Sequence, residues 1–280
     1  MALKIGNITP SKLYLGSTEI QKAYLGSNLV WDKTGGGFDA DYQAVLDYAT
    51  TQGYTLPSAS QQALQNQLVL DLKSGGIWSK LDIFYTFATD GDSDFATLNW
   101  KAPSNYQITK VNSPTFTTND GFKGDGTSSH LDTGWNESNG TAVDLTNRLM
   151  HIAAWTYDSG TLNPDGYYVS GKNSAFLLRT KADKSRLFGQ TITHAGFDGD
   201  TGFQMISQDA TNMELFLDNT TSATGSRGTS TLGGGTYKVF ADFNGSLFSD
   251  KGASILSFGA DLNAEASDYH TALNDYMTSI

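Results

Sequence analysis

Apolar and polar positions recur along this chain with two different periods, and the change from one to the other organises it. Tyr42, Val45, Leu46 and Ala49 stand at helical spacing, with Asp39 or Asp41 placed to cap and Gly53 to stop. A second helix is predicted from Ser58, which makes a capping-box pattern with Gln61. Leu64, Leu68 and Leu72 line one face of it, and Gly75-Gly76 ends it. From about Ile77 the period shortens to that of strands. They are predicted over Ile83–Phe87, Tyr106–Val111, Arg148–Tyr157, Tyr167–Ser170, Ala175–Arg179, Arg186–Thr191, Gly202–Ser207, Met213–Asp218, Thr236–Phe243 and Ser254–Phe258. Turn-formers such as Asn119-Asp120-Gly121, Asn163-Pro164-Asp165-Gly166 and Asn244-Gly245 separate them. Many short strands punctuated in this way predict a mainly β protein, an antiparallel sandwich or jelly roll. The last segment returns to the helical period. Asn263 can cap it, Glu265 and Asp268 suit its first turns, and Tyr269, Ala272, Leu273, Tyr276 and Met277 form its apolar stripe.

The first 34 residues follow a pattern of their own. Tyr14-Leu15-Gly16-Ser17 recurs ten residues later as Tyr24-Leu25-Gly26-Ser27, and Leu29-Val30-Trp31 closes the unit. The spacing predicts strand, tight turn, strand, tight turn, strand. Strand alternation places apolar groups on both faces. A piece this small is barely stable alone, so Leu13, Tyr14, Leu15, Tyr24, Leu25 and Trp31 are expected to bury themselves against a partner. That partner is either the chain's own domain or a neighbouring subunit. Gly35-Gly36-Gly37 then reads as a flexible joint. The expected organisation is an anchor over 1–34, a joint and helical segment over 35–76, and a sandwich with its C-terminal helix over 77–280.

Composition narrows the function classes. Charged residues make up 17% of the chain, below the usual ~25%, and Gly, Ser, Thr, Asn and Asp fill the difference. The net charge is −11, with no basic stripe to neutralise phosphates. Nucleic-acid binding is therefore excluded and an anionic membrane surface is disfavoured. There is no cysteine, so stability must come from packing or assembly. The start, Met1-Ala2-Leu3-Lys4, lacks the order of a signal peptide, and no apolar run reaches the ~18 residues of a membrane span. Synthesis in a cytoplasm and no membrane insertion are expected.

Catalytic signatures are sparse. Gly166 to Gly171 followed by Lys172 imitates a phosphate loop, but Asn173 replaces the magnesium-binding hydroxyl and a strand, not a helix, is predicted to follow. Asp90, Asp92 and Asp94 space three carboxylates by two, which suits a hard cation such as Ca2+; no other cofactor is expected. Phe95 and Lys101 occupy the positions where an EF-hand needs Gly and Glu. The four glutamates, Glu19, Glu137, Glu214 and Glu265, form no glucanase strand motif, although an Asp pair brought together in space would escape such a search. His130, His151, His194 and His270 show no metal spacing and read as structural. The aromatics Trp100, Trp135, Trp155 and Tyr157, near strand ends or on strands, are the candidate glycan- or receptor-binding residues, because such rings stack on sugar C–H surfaces.

Several runs carry a resemblance. Leu72-Lys73-Ser74-Gly75-Gly76-Ile77-Trp78-Ser79-Lys80-Leu81-Asp82, Leu98-Asn99-Trp100-Lys101-Ala102-Pro103, and Phe122-Lys123-Gly124-Asp125-Gly126 with Leu131-Asp132-Thr133-Gly134 are similar to segments of phage virion proteins with a concanavalin A-like lectin domain. So is the tail from Ile255 to Leu262 with its closing helix, and the Tyr-Leu-Gly-Ser repeat resembles leaders on structural proteins of bacterial viruses. The resemblance implies a fibre, spike, tail or decoration protein on the virion surface. It implies a homotrimer that attaches to a capsid or tail protein through residues 1–34 and presents a jelly-roll sandwich to a host glycan or receptor. A carbohydrate-active enzyme of the same fold and a ligand-free decoration protein are the alternatives.

Overall fold

The computed structural model describes residues 14–15, 17–20, 22–25, 28–32, 37–158, 167–172, 176–179, 184–193 and 201–280. Two antiparallel sheets face each other, and three helices cover the outer face of one of them. The larger sheet runs in the order Thr220–Gly225, Met213–Leu217, Gly202–Gln208, Met150–Asp158, Gly252–Gly259. Beyond Gly252–Gly259 its C-terminal part pairs with Leu81–Thr86. Its N-terminal end pairs with Gly121–Lys123, which is followed by Thr115–Thr117. The second sheet runs Gln190–Thr193, Lys184–Leu187, Phe176–Arg179, Tyr167–Ser170, Lys238–Val239, His130–Asp132, Thr109–Val111. The expected antiparallel β-sandwich is what the chain forms.

Strand alternation gives the larger sheet two dry faces. Ile83, Tyr85, Ile152, Ala154, Leu256 and Phe258 turn into the core between the sheets. The intervening Phe84, Ala153, Phe203, Met205 and Ile255 turn the other way, into a second core under the helices. Helix α1 (Ala40–Gln52) buries Tyr42, Val45, Leu46 and Ala49, with Asp39 as N-cap and Gly53 at φ 77° closing it. Helix α2 (Ala59–Ser74) starts at Ser58, whose hydroxyl accepts from the Gln61 N–H, and buries Leu68 and Leu72. Helix α3 (Ala266–Met277) buries Tyr269, Ala272, Leu273 and Tyr276. Its N-cap is Glu265, not the expected Asn263, and no side chain caps it. Residues on both sides of position 76 meet in this core: α1, α2, α3 and the sheet share it.

Other departures from the sequence expectations have local causes. Arg186–Thr191 is not one strand. Phe188 and Gly189, both at positive φ, make a tight turn between Lys184–Leu187 and Gln190–Thr193, a conformation that matches the twist of a two-residue hairpin. Phe240 at φ 68° ends its strand after Val239, and Arg148 at φ 59° delays the start of Met150–Asp158. In the leader, Tyr14–Leu15 pairs with Thr18–Glu19, and Lys22–Leu25 pairs with Asn28–Asp32. The repeat therefore builds two separate antiparallel strand pairs, where three consecutive strands were expected. Leu13 lies outside the described residues. The expected contacts of Tyr14, Leu15, Tyr24, Leu25 and Trp31 concern side chains that also lie outside them.

Candidate aromatic site at the end of the central strand

The four predicted aromatics separate into two pairs. Trp100 is 1% exposed and packs between Tyr42 and Phe84 beneath the helices. Trp135 is 1% exposed and stacks on Phe258, centroids 5.0 Å apart, in the core between the sheets. Neither offers a face to a ligand, so both are corrected to core residues. Position near a strand end does not distinguish an indole that caps the core from one that leaves it.

Trp155 and Tyr157 are partly exposed and lie two residues apart near the end of Met150–Asp158. Trp155 stacks on His270 of α3, and Phe203 meets the same imidazole edge-on. Tyr157 is placed by a break in the sheet. Trp155 pairs with Ile255, Thr156 with Ala253, and Asp158 with Gly252. Ser254 is thus the extra residue on one strand and Tyr157 the extra residue on the other, and successive bulges re-aim both. The Ser254 carbonyl accepts from both Phe87 and Ala88, and its hydroxyl donates to the Asp120 carbonyl. Tyr157 lies across Gly252, where a Cβ would come within 2.5 Å of the ring. Glycine is required there for close approach, not for a special backbone angle.

The rim of this site is charged. Lys123 and Asp158 flank Gly252 in register on either side and form an ion pair across it. Asp120 is exposed nearby, and Tyr157 is hydrogen-bonded with Thr117. Burial, then the charges of Asp120 and Asp158, push the Tyr157 phenol up to about 12, so it keeps its proton at neutral pH. Two carboxylates and one ammonium therefore gather around the ring and neutral hydroxyl of Tyr157, while Trp155, two residues back, packs toward His270 and Phe203. That set can stack on an apolar ring face and exchange hydrogen bonds with hydroxyls around it.

No family model matches the chain, and no curated protein matches it. Solved structures similar to it include the binding domain of botulinum neurotoxin serotype D, at TM-score 0.42 and 11% identity over 73% of this chain and 52% of that one. Another is the binding domain of botulinum neurotoxin DC in complex with SialylT, at 0.44 and 11% over 71% and 52%. Trypanosoma rangeli sialidase matches at 0.42 and 9% over 78% and 40%. The chain spans about half of these structures or less. Scores this low say nothing of ligand or activity.

The predicted cation site is corrected. The Asp90 carboxylate accepts from the Ser58 N–H, and Asp92 accepts from the amides of Thr55, Asp94 and Phe95. Asp94 pairs with Lys110. Asp90 and Asp92 tie the α1–α2 connection to this turn, while Asp94 reaches Lys110 of the second sheet, so the three carboxylates are claimed by different partners. No group of three or more His, Asp or Glu side chains placed to hold a metal occurs among the described residues. The sequence reading missed His270, Lys123, Asp158 and Asp120. Only Asp158, next to the singled-out Tyr157, gave any signal; the others arrive from distant segments.

Proposed function

We propose that this chain is a binding protein whose β-sandwich holds a glycan at the Trp155–Tyr157 edge. The observation that carries the proposal is the partly exposed Tyr157 beside a mixed-charge rim, two residues from the partly exposed Trp155, at a place where successive bulges aim the tyrosine. Strand bulges are common where a sheet must re-aim a side chain toward a ligand. The rim suits a hydroxyl-rich ligand: Asp158 is engaged with Lys123, which fits an acceptor better than a general acid or nucleophile. The wider setting we propose is a phage virion protein, attached to a capsid or tail protein through residues 1–34 and assembled as a homotrimer at the virion surface. The resemblance of the Leu72–Asp82 and Ile255–Leu262 runs and the two leader strand pairs support it.

Glycan-array binding by the purified protein, repeated with Trp155→Ala and Tyr157→Ala, tests the ligand. Each substitution should weaken binding by roughly tenfold, the scale of one lost stacking ring. Binding unchanged in both variants would remove the site. Particle incorporation of a chain lacking residues 1–34 tests the attachment, and normal incorporation would remove that part.

A further inference from the structure

Between α2 and α3 runs a groove of about 350 Å³ lined by Asp71, Ser74, Asp268, Thr271, Ala272 and Asp275. It continues over Leu64, Leu68 and Tyr276. Its continuation over Leu64, Leu68 and Tyr276 gives it an apolar part, and its rim is anionic. Asp71 accepts from Gln67, and none of the three carboxylates has an ion-pair partner among the described residues. Lys73 at the end of α2 is engaged with Asp39 and Asp41, and Lys80 with Glu265. Asp71 and Asp275 also stand in the last turns of α2 and α3. The helix dipole is negative there and disfavours a carboxylate. Uncompensated anions at two helix C-termini beside an apolar stretch are relieved by an incoming cationic, partly apolar segment.

The chain itself contains one. Lys4, Lys12, Lys22 and Lys33 against Glu19 and Asp32 give residues 1–34 a net charge of +2, so with the whole chain at −11 the remainder carries −13. The same segment holds the aromatic and aliphatic residues of the two leader strand pairs. We propose that the leader of one copy docks in the α2–α3 groove of the next. This deepens the self-association part of the proposed function and gives it an address. The contact is head-to-tail, with different surfaces on its two sides, so it generates closed rings such as a trimer when the rotation closes.

The absence of cysteine makes the contact directly testable. Ser17→Cys and Ser74→Cys are prepared as separate full-length proteins, mixed at micromolar concentration and oxidised. A disulfide-linked mixed dimer should form, at least fivefold more abundant than with Thr220→Cys, at the far sheet edge, in place of Ser74→Cys. Equal yields of the two mixed species overturn the proposal, including the case where the groove instead takes a different basic protein. Light scattering gives a second reading. The Asp71→Asn, Asp268→Asn, Asp275→Asn variant, checked for an unchanged circular-dichroism melt, should shift toward monomer where the parent associates. Association equal to the parent's overturns the proposal, as does a parent that is monomeric throughout. Glycan binding through Trp155 is measured on the same preparations, so loss of the ligand reading and loss of the docking reading are separately visible.

Discussion

The imidazole of His270 lies nearly parallel to the indole of Trp155, centroids 6.1 Å apart and planes 22° apart. A helix side chain thus backs the ring that the central strand presents. An aromatic pair of this kind contributes about 0.5–1.5 kcal/mol beyond the area it buries. His270→Ala should therefore loosen Trp155 and weaken glycan binding by roughly threefold to tenfold. His270→Phe should restore most of it. Isothermal titration with the best array ligand measures both; equal affinities for His270→Ala and the parent would separate the stack from the site.

Trp135 should behave in the opposite way. It fills the space between the sheets against Tyr237 and Phe258. Trp135→Ala should cost about 3–5 kcal/mol of stability, the range for deleting a large buried ring. Chemical denaturation should show the loss as a lower midpoint. Trp155→Ala, partly exposed, should cost far less in the same experiment.

A buried histidine sets an acid limit. His151 is fully buried: Nδ1 is hydrogen-bonded with the Ala260 carbonyl, and Nε2 with the Ser257 hydroxyl, which also accepts from Tyr269. Burial is the main cause that brings its pKa down from 6.5 to about 4. The unfolded chain therefore binds this proton first as pH falls. The stability that depends on neutral His151 is complete above about 6.5 and is lost progressively toward 4. The loss is on the order of 3 kcal/mol by pH 4. Melting temperatures across that window should fall with pH, and fall less steeply in His151→Gln.

The Asp90–Asp94 turn should act as a clasp indifferent to calcium. Asp92 receives three backbone amides, so Asp92→Ala should cost about 1–3 kcal/mol by leaving them unmet. Adding Ca2+ or a chelator should leave the parent's melting temperature where it was. A rise of several degrees with Ca2+ would contradict these separate partners.

Much of this fold is written locally. Asp39, Ser58 and Gly53 mark their helix ends because capping is decided within a few residues. The alternating runs around Ile152 and Phe258 mark their strands for the same reason. Illegible features depend on distant partners or on unusual backbone. Phe240 ends its strand at positive φ, where no glycine announces the turn. The carboxylates Asp90 and Asp92 look like ligands in sequence because the amides of Ser58 and Thr55, which claim them, lie more than thirty residues away. Half the site was legible: the period-two pair Trp155 and Tyr157 could be read, while Gly252 and Lys123 reach Tyr157, and His270 reaches Trp155, only through pairing and helix docking.

The strand Gly252–Gly259 lies between partners that precede it by about a hundred residues or more, and α3 follows it. During synthesis, then, Met150–Asp158 and Leu81–Thr86 leave the ribosome without the strand that joins them. Their apolar faces must wait for the closing residues before either core can seal. At elongation rates of about 5–20 residues per second, that interval is several seconds of exposure for every nascent copy. Translational stalling anywhere between residues 160 and 250 should therefore be far more harmful to yield than stalling after residue 280 has been added.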